Sequence, residues 1–530
     1  MAEQQVKKKD IGFIILLIGV FMAALDNGII SAALTTINSS FNVSATSGSW
    51  GITLYTLGLA VATPIVGKLA DKYGRKKLFL IEIAIFTVGS LGIALSPNFT
   101  FFLAARLFQS FGGGGIFIIA SSYVLSTVPK AKQGSMLGLL GGMNGIASVI
   151  GPNIGSFLMD LTGTWHWLFL INIPIGILLL IGGSVVLKET KEYVTAKTDY
   201  LGITLLSLAI LSMMFAIHNL GTGNLLRSLF DWTVFGLLIL GVILFALLLL
   251  VEKRNETAHI DSILPYDLLK KPTFSMTLIM GLLSGTLIGA VIFIPSFVEQ
   301  ILGISAAKSG YWMTPLALAS GIGAGGGGFF VDKQGPVKTI VYAGIISIIG
   351  FGGLAYLADT KMLFIIFSVI AGTGFGFVLG APLTILTSNA AGRQKGSAIG
   401  TLSVARQVGL TISPTIYATF IQNGFSKLGA LIPEKLQAHG INLEDVPEGM
   451  MEQVSEIGYA DLTTQIEQIP IPAVREALLE AFEVAANAAY QPIYLFTATM
   501  ALFMIIIAVS FRKQFKEDEK QELKEDRVGQ

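Results

Sequence analysis

The sequence has no cysteine, four histidines, and charged side chains at 13% of its 530 residues. Without cysteine there is no disulfide frame and no thiolate metal centre, and four scattered histidines leave little for any other metal site. No metal and no cofactor are expected. Charge at 13% is about half of what soluble domains carry, which excludes an ordinary water-soluble globule. The net formal charge is +1, so no basic excess draws in nucleic acid. Proline is sparse at 17 while glycine reaches 60, a balance that suits helices which pack closely and bend in a membrane. What fills the sequence is apolar, 53% of residues with a mean hydropathy of +0.71. The first apolar run, from Ile11, is too long for a signal peptide and lacks a small-residue cleavage site, so it reads as a retained span. The spans show no paired catalytic carboxylates, no histidine cluster and no phosphate loop, so an enzyme is not expected.

One short charged phrase occurs twice. Gly67-Lys68-Leu69-Ala70-Asp71-Lys72-Tyr73-Gly74-Arg75 lies between two apolar runs, and Gly328-Phe329-Phe330-Val331-Asp332-Lys333-Gln334-Gly335 lies between two others. Both spell Gly-x-x-x-Asp-Lys-x-Gly. A repeat over so long a distance, set in spanning sequence, implies two similar helical bundles. Bundles that rock about a central site make a transporter.

A helix needs about 20 apolar residues to cross the hydrocarbon. Fourteen such runs are read: 11–34, 48–70, 78–96, 100–126, 134–159, 165–187, 200–219, 230–251, 273–300, 309–331, 337–357, 362–388, 396–423 and 489–511. Basic residues gather in alternate links: Lys7 to Lys9, Lys72 to Lys77, Lys130 and Lys132, Lys188 to Lys197, Lys253 and Arg254, Lys270 and Lys271, Lys333 and Lys338, Arg393 and Lys395. The other links hold almost none, with Arg227, Lys308 and Lys361 as exceptions. By the positive-inside rule both termini are cytoplasmic. If each copy of the repeat joins helices two and three of a six-helix bundle, the bundles are residues 1–190 and 273–512. Residues 191–272 are then an inserted helix pair with its connectors, and 513–530 a cytoplasmic tail. The outer link 422–487 is polar and holds eleven acids. Val474, Leu478, Leu479 and Phe482 recur in it at helical spacing, which predicts an amphipathic helix lying on the surface. That link reads either as a cap or as an element of substrate or partner contact.

These residues resemble the major facilitator superfamily, and within it the fourteen-span drug:proton antiporter branch. GKLADKYGRKK at 67–77 matches the superfamily's loop between helices two and three. Leu25-Asp26 through Leu34 is similar to the branch's helix-one motif, departing at Gly28, Ser31 and Thr35. Arg106-Leu107-Phe108-Gln109-Ser110-Phe111-Gly112 is similar to the helix-four motif, and Gly151-Pro152-Asn153-Ile154-Gly155 to the helix-five antiporter signature. Trp165 to Gly176 opens span six in the branch's manner, with His166 in place of the usual arginine. The resemblance implies an all-α polytopic protein of two six-helix bundles plus an inserted pair. It implies a plasma-membrane efflux antiporter of the multidrug, antibiotic-resistance type, with small amphipathic substrates, protons and the bilayer as partners, working as a monomer.

Each constellation has a physical reading. In the repeated loop, Gly67 lets two helices approach and Gly74 permits a tight turn. Asp71 can cap a neighbouring helix while Arg75 offers a fork to a carboxylate, a latch that opens as the bundles rock. Gly328, Asp332 and Gly335 are its second copy. A lone carboxylate within a span costs on the order of 3 kcal/mol, so Asp26 is retained for use. Counting along the spans puts Asp26 and Arg106 both roughly 10–12 Å below the outer surface, a depth that permits an ion pair. The resemblance gives both to proton coupling; the alternative is a static buried pair. Glu82 is expected to snorkel to the inner basic loop.

Arg406 lies near mid-membrane, and three partners are open to it: carbonyl ends, Glu299, or an anionic substrate group. Gly151, Pro152 and Gly155 in span five and Pro414 in span thirteen read either as paired hinges or as close packing. Tyr55, Gln109, Asn144, Asn153, Trp312 and Arg406 are candidate cavity residues among apolar walls that suit lipophilic ligands. The leading expectation is a proton-driven exporter of amphipathic compounds. Export of a lipid or an anionic metabolite, or a non-transporting scaffold or sensor, are the alternatives.

Overall fold

The computed structural model describes residues 2–528 except 49, 192–196, 221–224, 259, 261, 265, 393 and 442–470. Long helices account for nearly all of it: α1 (Ala2–Ser40), α2 (Trp50–Tyr73), α3 (Arg75–Ala94), α4 (Phe99–Gly113, continuing as Ile116–Thr127), α5 (Lys130–Thr162), α6 (Asn172–Val186), α7 (Tyr200–His218) and α8 (Trp232–Ala258). Then follow α9 (Pro272–Val291), α10 (Thr314–Gln334), α11 (Pro336–Tyr356), α12 (Lys361–Leu379, continuing as Pro382–Ala391), α13 (Lys395–Phe425), α14 (Pro472–Ser510) and α15 (Arg512–Val528).

Local chemistry sets the ends. Asn98, Asp199 and Thr360 each accept a backbone N–H at a helix start. Four glycines at 112–115 break α4, and Gly380 followed by Pro382 breaks α12, at equivalent places in the two halves. Gly74 and Gly335 have φ of 111° and 84°, so each copy of the repeat turns on a residue for which the left-handed region costs nothing.

Helix α1 packs on α5, α5 on α10, and α10 on α12. In mirrored fashion α9 packs on α13, and α13 on α2. The α2–α13 and α5–α10 contacts form the seam between the first six and the last six helices. Helices α7 and α8 pack on one another, and α7 also touches α2 and α13 beside that seam. Trp232 and Leu250 on α8 are 79% and 66% exposed, the surface of a helix that faces lipid rather than a core.

Among the described residues twelve helices are long and apolar enough to cross a membrane, and a thirteenth counts if α5, bent by 44° between Ala147 and Ile150, is one span. The one expected span left over, 396–423, is present as the 31-residue α13 but is not apolar enough to be counted with them. It carries Arg406, Gln407 and Gln422 and lies against α2, α9 and α14 rather than among lipids.

The outer link needs a correction. Val474, Leu478 and Phe482 are 1%, 3% and 2% exposed and belong to the first turns of α14, which runs 39 residues without interruption. They do not lie on the surface. They pack against Leu428, Ile432 and Leu436 of a short helix, Leu428–Ala438, with Glu480 of α14 bonded to Lys435 and facing His439. Residues 442–470 of the same link lie outside the described residues.

Candidate functional site

Two buried polar assemblies stand out, one inside the first half and one across the seam. In the first, Asp26 of α1 is 2% exposed, and Oδ2 accepts from Arg106 Nη1 at 2.8 Å. Its other oxygen accepts from Gln109 Nε2 at 3.0 Å and from Asn172 Nδ2 at 3.2 Å. Ser90 Oγ accepts from the same two amides, and Gln109 Oε1 in turn accepts from Arg106 Nη1 at 2.6 Å. The guanidinium sits 4.1 Å from the centre of the Tyr55 ring, a cation–π contact that also screens it from lipid. Helices α1, α2, α3, α4 and α6 thus converge on one ion pair. Both carboxylate oxygens are filled, which is what lets the charges sit in a low-dielectric interior.

Gln109 and Tyr55, expected as cavity residues, are 0% and 1% exposed and belong to this network. Sequence reasoning missed Asn172 and Ser90 as partners. Asn172 lay in the quoted span-six motif, so a search for amides at the depth of Asp26 finds it. Ser90 carries no such signal. Glu82 corrects an expectation: it does not snorkel. It is 3% exposed and accepts the Gly115 N–H at 3.1 Å, capping the second segment of α4. Asp26 is therefore not alone as a buried carboxyl in these spans.

The second assembly is the repeated loop, and both copies do the same thing to opposite halves. Asp71 accepts from Gly396 N at 2.8 Å and Ser397 N at 3.2 Å, at the start of α13. Asp332 accepts from Gly134 N at 2.7 Å and Ser135 N at 2.8 Å, at the start of α5. Each carboxylate meets the positive end of a helix from the other half. Gly67 lies against the Gly396 carbonyl and Gly328 against that of Gly134, contacts a Cβ would close off. Around the first copy, Arg75 pairs with Asp71 at 2.6 Å and donates to Ser122 Oγ at 2.6 Å. Glu189 accepts the N–H groups of Lys76 and Lys77 at 3.0 and 3.1 Å, capping α3.

Elsewhere Gly151 abuts Gly28, so the helix-five signature presses on the helix-one motif; Pro152 sits five residues past Ala147, where the bend begins. Gly155 is buried, Asn144 and Asn153 are exposed on α5, and Pro414 lies inside α13. Trp312 packs its ring at a tilt against Phe364, centroids 5.7 Å apart, in the cluster at the end of α10 opposite Asp332. Arg406 donates from Nε to Ser284 Oγ at 3.2 Å, while its Nη2 is buried without a hydrogen-bond partner.

The profile of the Major Facilitator Superfamily matches residues 16–217 and again 200–414. The chain belongs to this superfamily. It is a multi-pass membrane transporter with the all-helical facilitator fold, not an enzyme family. An uncharacterized MFS-type transporter of Bacillus subtilis, YfiU, is 55% identical over 94% of this chain and 96% of its own length. Multidrug resistance protein 3 of the same organism is 31% identical over 78% of this chain and 79% of its own length. The tetracenomycin C resistance and export protein of Streptomyces glaucescens is 28% identical over 79% and 76%. Among solved structures, the human organic anion transporter MFSD10 aligns over 93% of this chain and 99% of its own, with a TM-score of 0.56 at 12% identity. That likeness concerns the fold alone.

Proposed function

We propose that this facilitator exports amphipathic or lipophilic compounds in exchange for protons, by alternating access between residues 1–190 and 273–512. Asp26 is the proton-carrying group. Protonation of Asp26 weakens its hold on Arg106 and on the Gln109 and Asn172 amides, which lets α1 and α4 shift relative to one another. The observation that carries the reading is the Asp26–Arg106 pair itself, wholly buried and held by the Gln109 and Asn172 amides and the Tyr55 ring, a cost a passive scaffold has no need to bear. The Asp71 and Asp332 latches serve as the gate on their face of the molecule, with Gly74 and Gly335 as its turns and Arg75 as its anchor. Pro152 and Pro414 serve as hinges. Export is supported by the relatives named for multidrug resistance and for export. The basic links support a plasma-membrane protein of fourteen spans with both termini and both latches on the cytoplasmic side.

Arg406 gives the substrate reading its direction. A half-buried guanidinium whose Nη2 is enclosed without a hydrogen-bond partner suits neutral or anionic amphipaths, a lipid or anionic metabolite included, and repels dications. The remaining cavity candidates, Asn144, Asn153 and Trp312, border the space where such a ligand would sit; the transporter acts as a monomer. The test is substrate-induced proton flux in proteoliposomes across cations, anions and lipids of matched lipophilicity. The expected result is flux in the native protein and none in Asp26→Asn; undiminished flux in that variant removes Asp26 from the mechanism.

A further inference from the structure

The two latches do not complete the closed face. Helix α15, the highly charged segment after the last span, folds back so that Phe515, 2% exposed, anchors in a cluster with Ile340, Leu386 and Met504. Two turns later on the same face, Glu522 is 5% exposed. Its Oε2 lies 3.1 Å from Lys130 Nζ and its Oε1 lies 2.9 Å from Lys395 Nζ. Turned with its nitrogen toward the carboxylate, the Asn389 amide also donates to Oε2 at 2.8 Å. Lys130 is the first residue of α5 and Lys395 the first of α13. These are the helices whose starts Asp332 and Asp71 hold, one from each half.

We propose that Glu522 is a positioning residue for transport, a third clamp that closes the latched face by joining the starts of α5 and α13 through one carboxylate. The electrostatics demand such a group. A lysine at the first position of a helix sits beside the positive end of its dipole, an unfavourable place. Closure brings two such lysines and two such helix ends to within reach of a single side chain. Without Glu522 the closed face would hold like charges together. With it, repulsion becomes a bridge that exists when the two helix starts are adjacent and breaks when they part. A carboxylate holding both lysines therefore biases the rocking equilibrium toward closure and adds to Asp71 and Asp332, which act on backbone rather than on charge.

The proposal rests on alternating access and not on proton coupling, and its test needs neither a gradient nor a substrate. The native sequence has no cysteine, so Lys77→Cys and Lys338→Cys, one on each half at the latched face, can carry spin labels without competition. Pulsed EPR in nanodiscs then reads the distance between the halves. In Glu522→Gln the closed-to-open ratio is expected to fall roughly fivefold, the effect of losing two partly shielded ion pairs. A chain ending at Lys516 should match it. Adding Lys130→Gln and Lys395→Gln to Glu522→Gln should restore much of the ratio, because the repulsion goes with the lysines. An unchanged distance distribution in both Glu522→Gln and the shortened chain overturns the proposal. So does a triple variant no more closed than Glu522→Gln, which would make α15 a packing element without a charge role.

Discussion

In the first half of the molecule Arg106 meets Asp26, and the amides of Gln109, on the same helix, and of Asn172, on α6, bond the carboxylate's other oxygen. In the second half the corresponding arginine, the half-buried Arg406, meets a serine hydroxyl. The latches differ in the same sense. Asp71 is shared between the start of α13 and the guanidinium of Arg75, which is 1% exposed, whereas Asp332 is held by two N–H groups and the Ser135 hydroxyl. At the position after the turn glycine, the second copy has Pro336 where the first has Arg75. One backbone plan is therefore repeated while its charge is not. The first half concentrates opposite charges in closed networks, and the second uses neutral partners around the same geometry. What the two copies share is the backbone plan; what the second lacks is the opposite charge.

Breaking this contrast at its strongest point should have the largest effect. Asp26→Asn removes the carboxylate proposed to carry the proton while leaving a side chain of the same size, so proton-driven transport in inverted vesicles should fall to background, about a hundredfold or more. Folding, checked by size-exclusion and insertion assays, should survive.

The latches come next. Asp71→Asn strands the buried Arg75 and should destabilise the closed face by about 3 kcal/mol, while Asp332→Asn loses charge-assisted bonds worth about 1 kcal/mol. Thermal unfolding in detergent ranks the two, and Arg75→Gln combined with Asp71→Asn should recover part of the larger loss. Equal losses would mean that Arg75 is solvated in the working protein.

Arg406→Ala tests the uncompensated charge of the second half. Two like charges ~6 Å apart at an effective dielectric of ~20 repel by roughly 3 kcal/mol, so anionic substrates should lose transport most in this variant while dications gain. A defect indifferent to substrate charge would make Arg406 a structural residue. Smaller still are the turns. Gly74→Ala and Gly335→Ala each force an L side chain to positive φ at about 1 kcal/mol, and Gly74→Ala should cost more because its Cβ runs into the Glu189 carboxylate. Smallest is Glu82→Gln, whose amide oxygen can still accept from Gly115; transport rates should stay within about twofold of native, the behaviour of a helix cap rather than a relay.

Much of the plan was legible because periodicity and repetition are properties of the chain alone. The twin Gly-x-x-x-Asp phrases, the lone carboxylate in span one and the arginine at matching depth in span four can be placed by counting. Azimuth cannot be counted. Gln109 and Tyr55 had the right depth for a cavity, yet helix rotation turned them onto Asp26. Glu82 stands one turn inside a span, where snorkelling is the ordinary outcome; the break that four glycines impose on α4 presented an unfilled N–H at 115 and drew the side chain inward instead. The segment around Val474 carried an amphipathic pattern because one of its faces meets the 428–438 helix, and pattern alone does not distinguish a protein partner from a membrane surface. Glu522 sits in a highly charged tail where composition gives no reason to single out one acid among many.

Helix α14 is 39 residues long, about 58 Å at 1.5 Å per residue, against a hydrocarbon layer of about 30 Å. The excess extends past the hydrocarbon with the 428–438 helix packed along it. A tilt of ~10° about one end of so long a helix sweeps the other end through ~10 Å. On the alternating-access reading the extension of α14 is the pointer on a lever: a grip at its far end acts on the motion with a longer arm than any contact nearer the pivot.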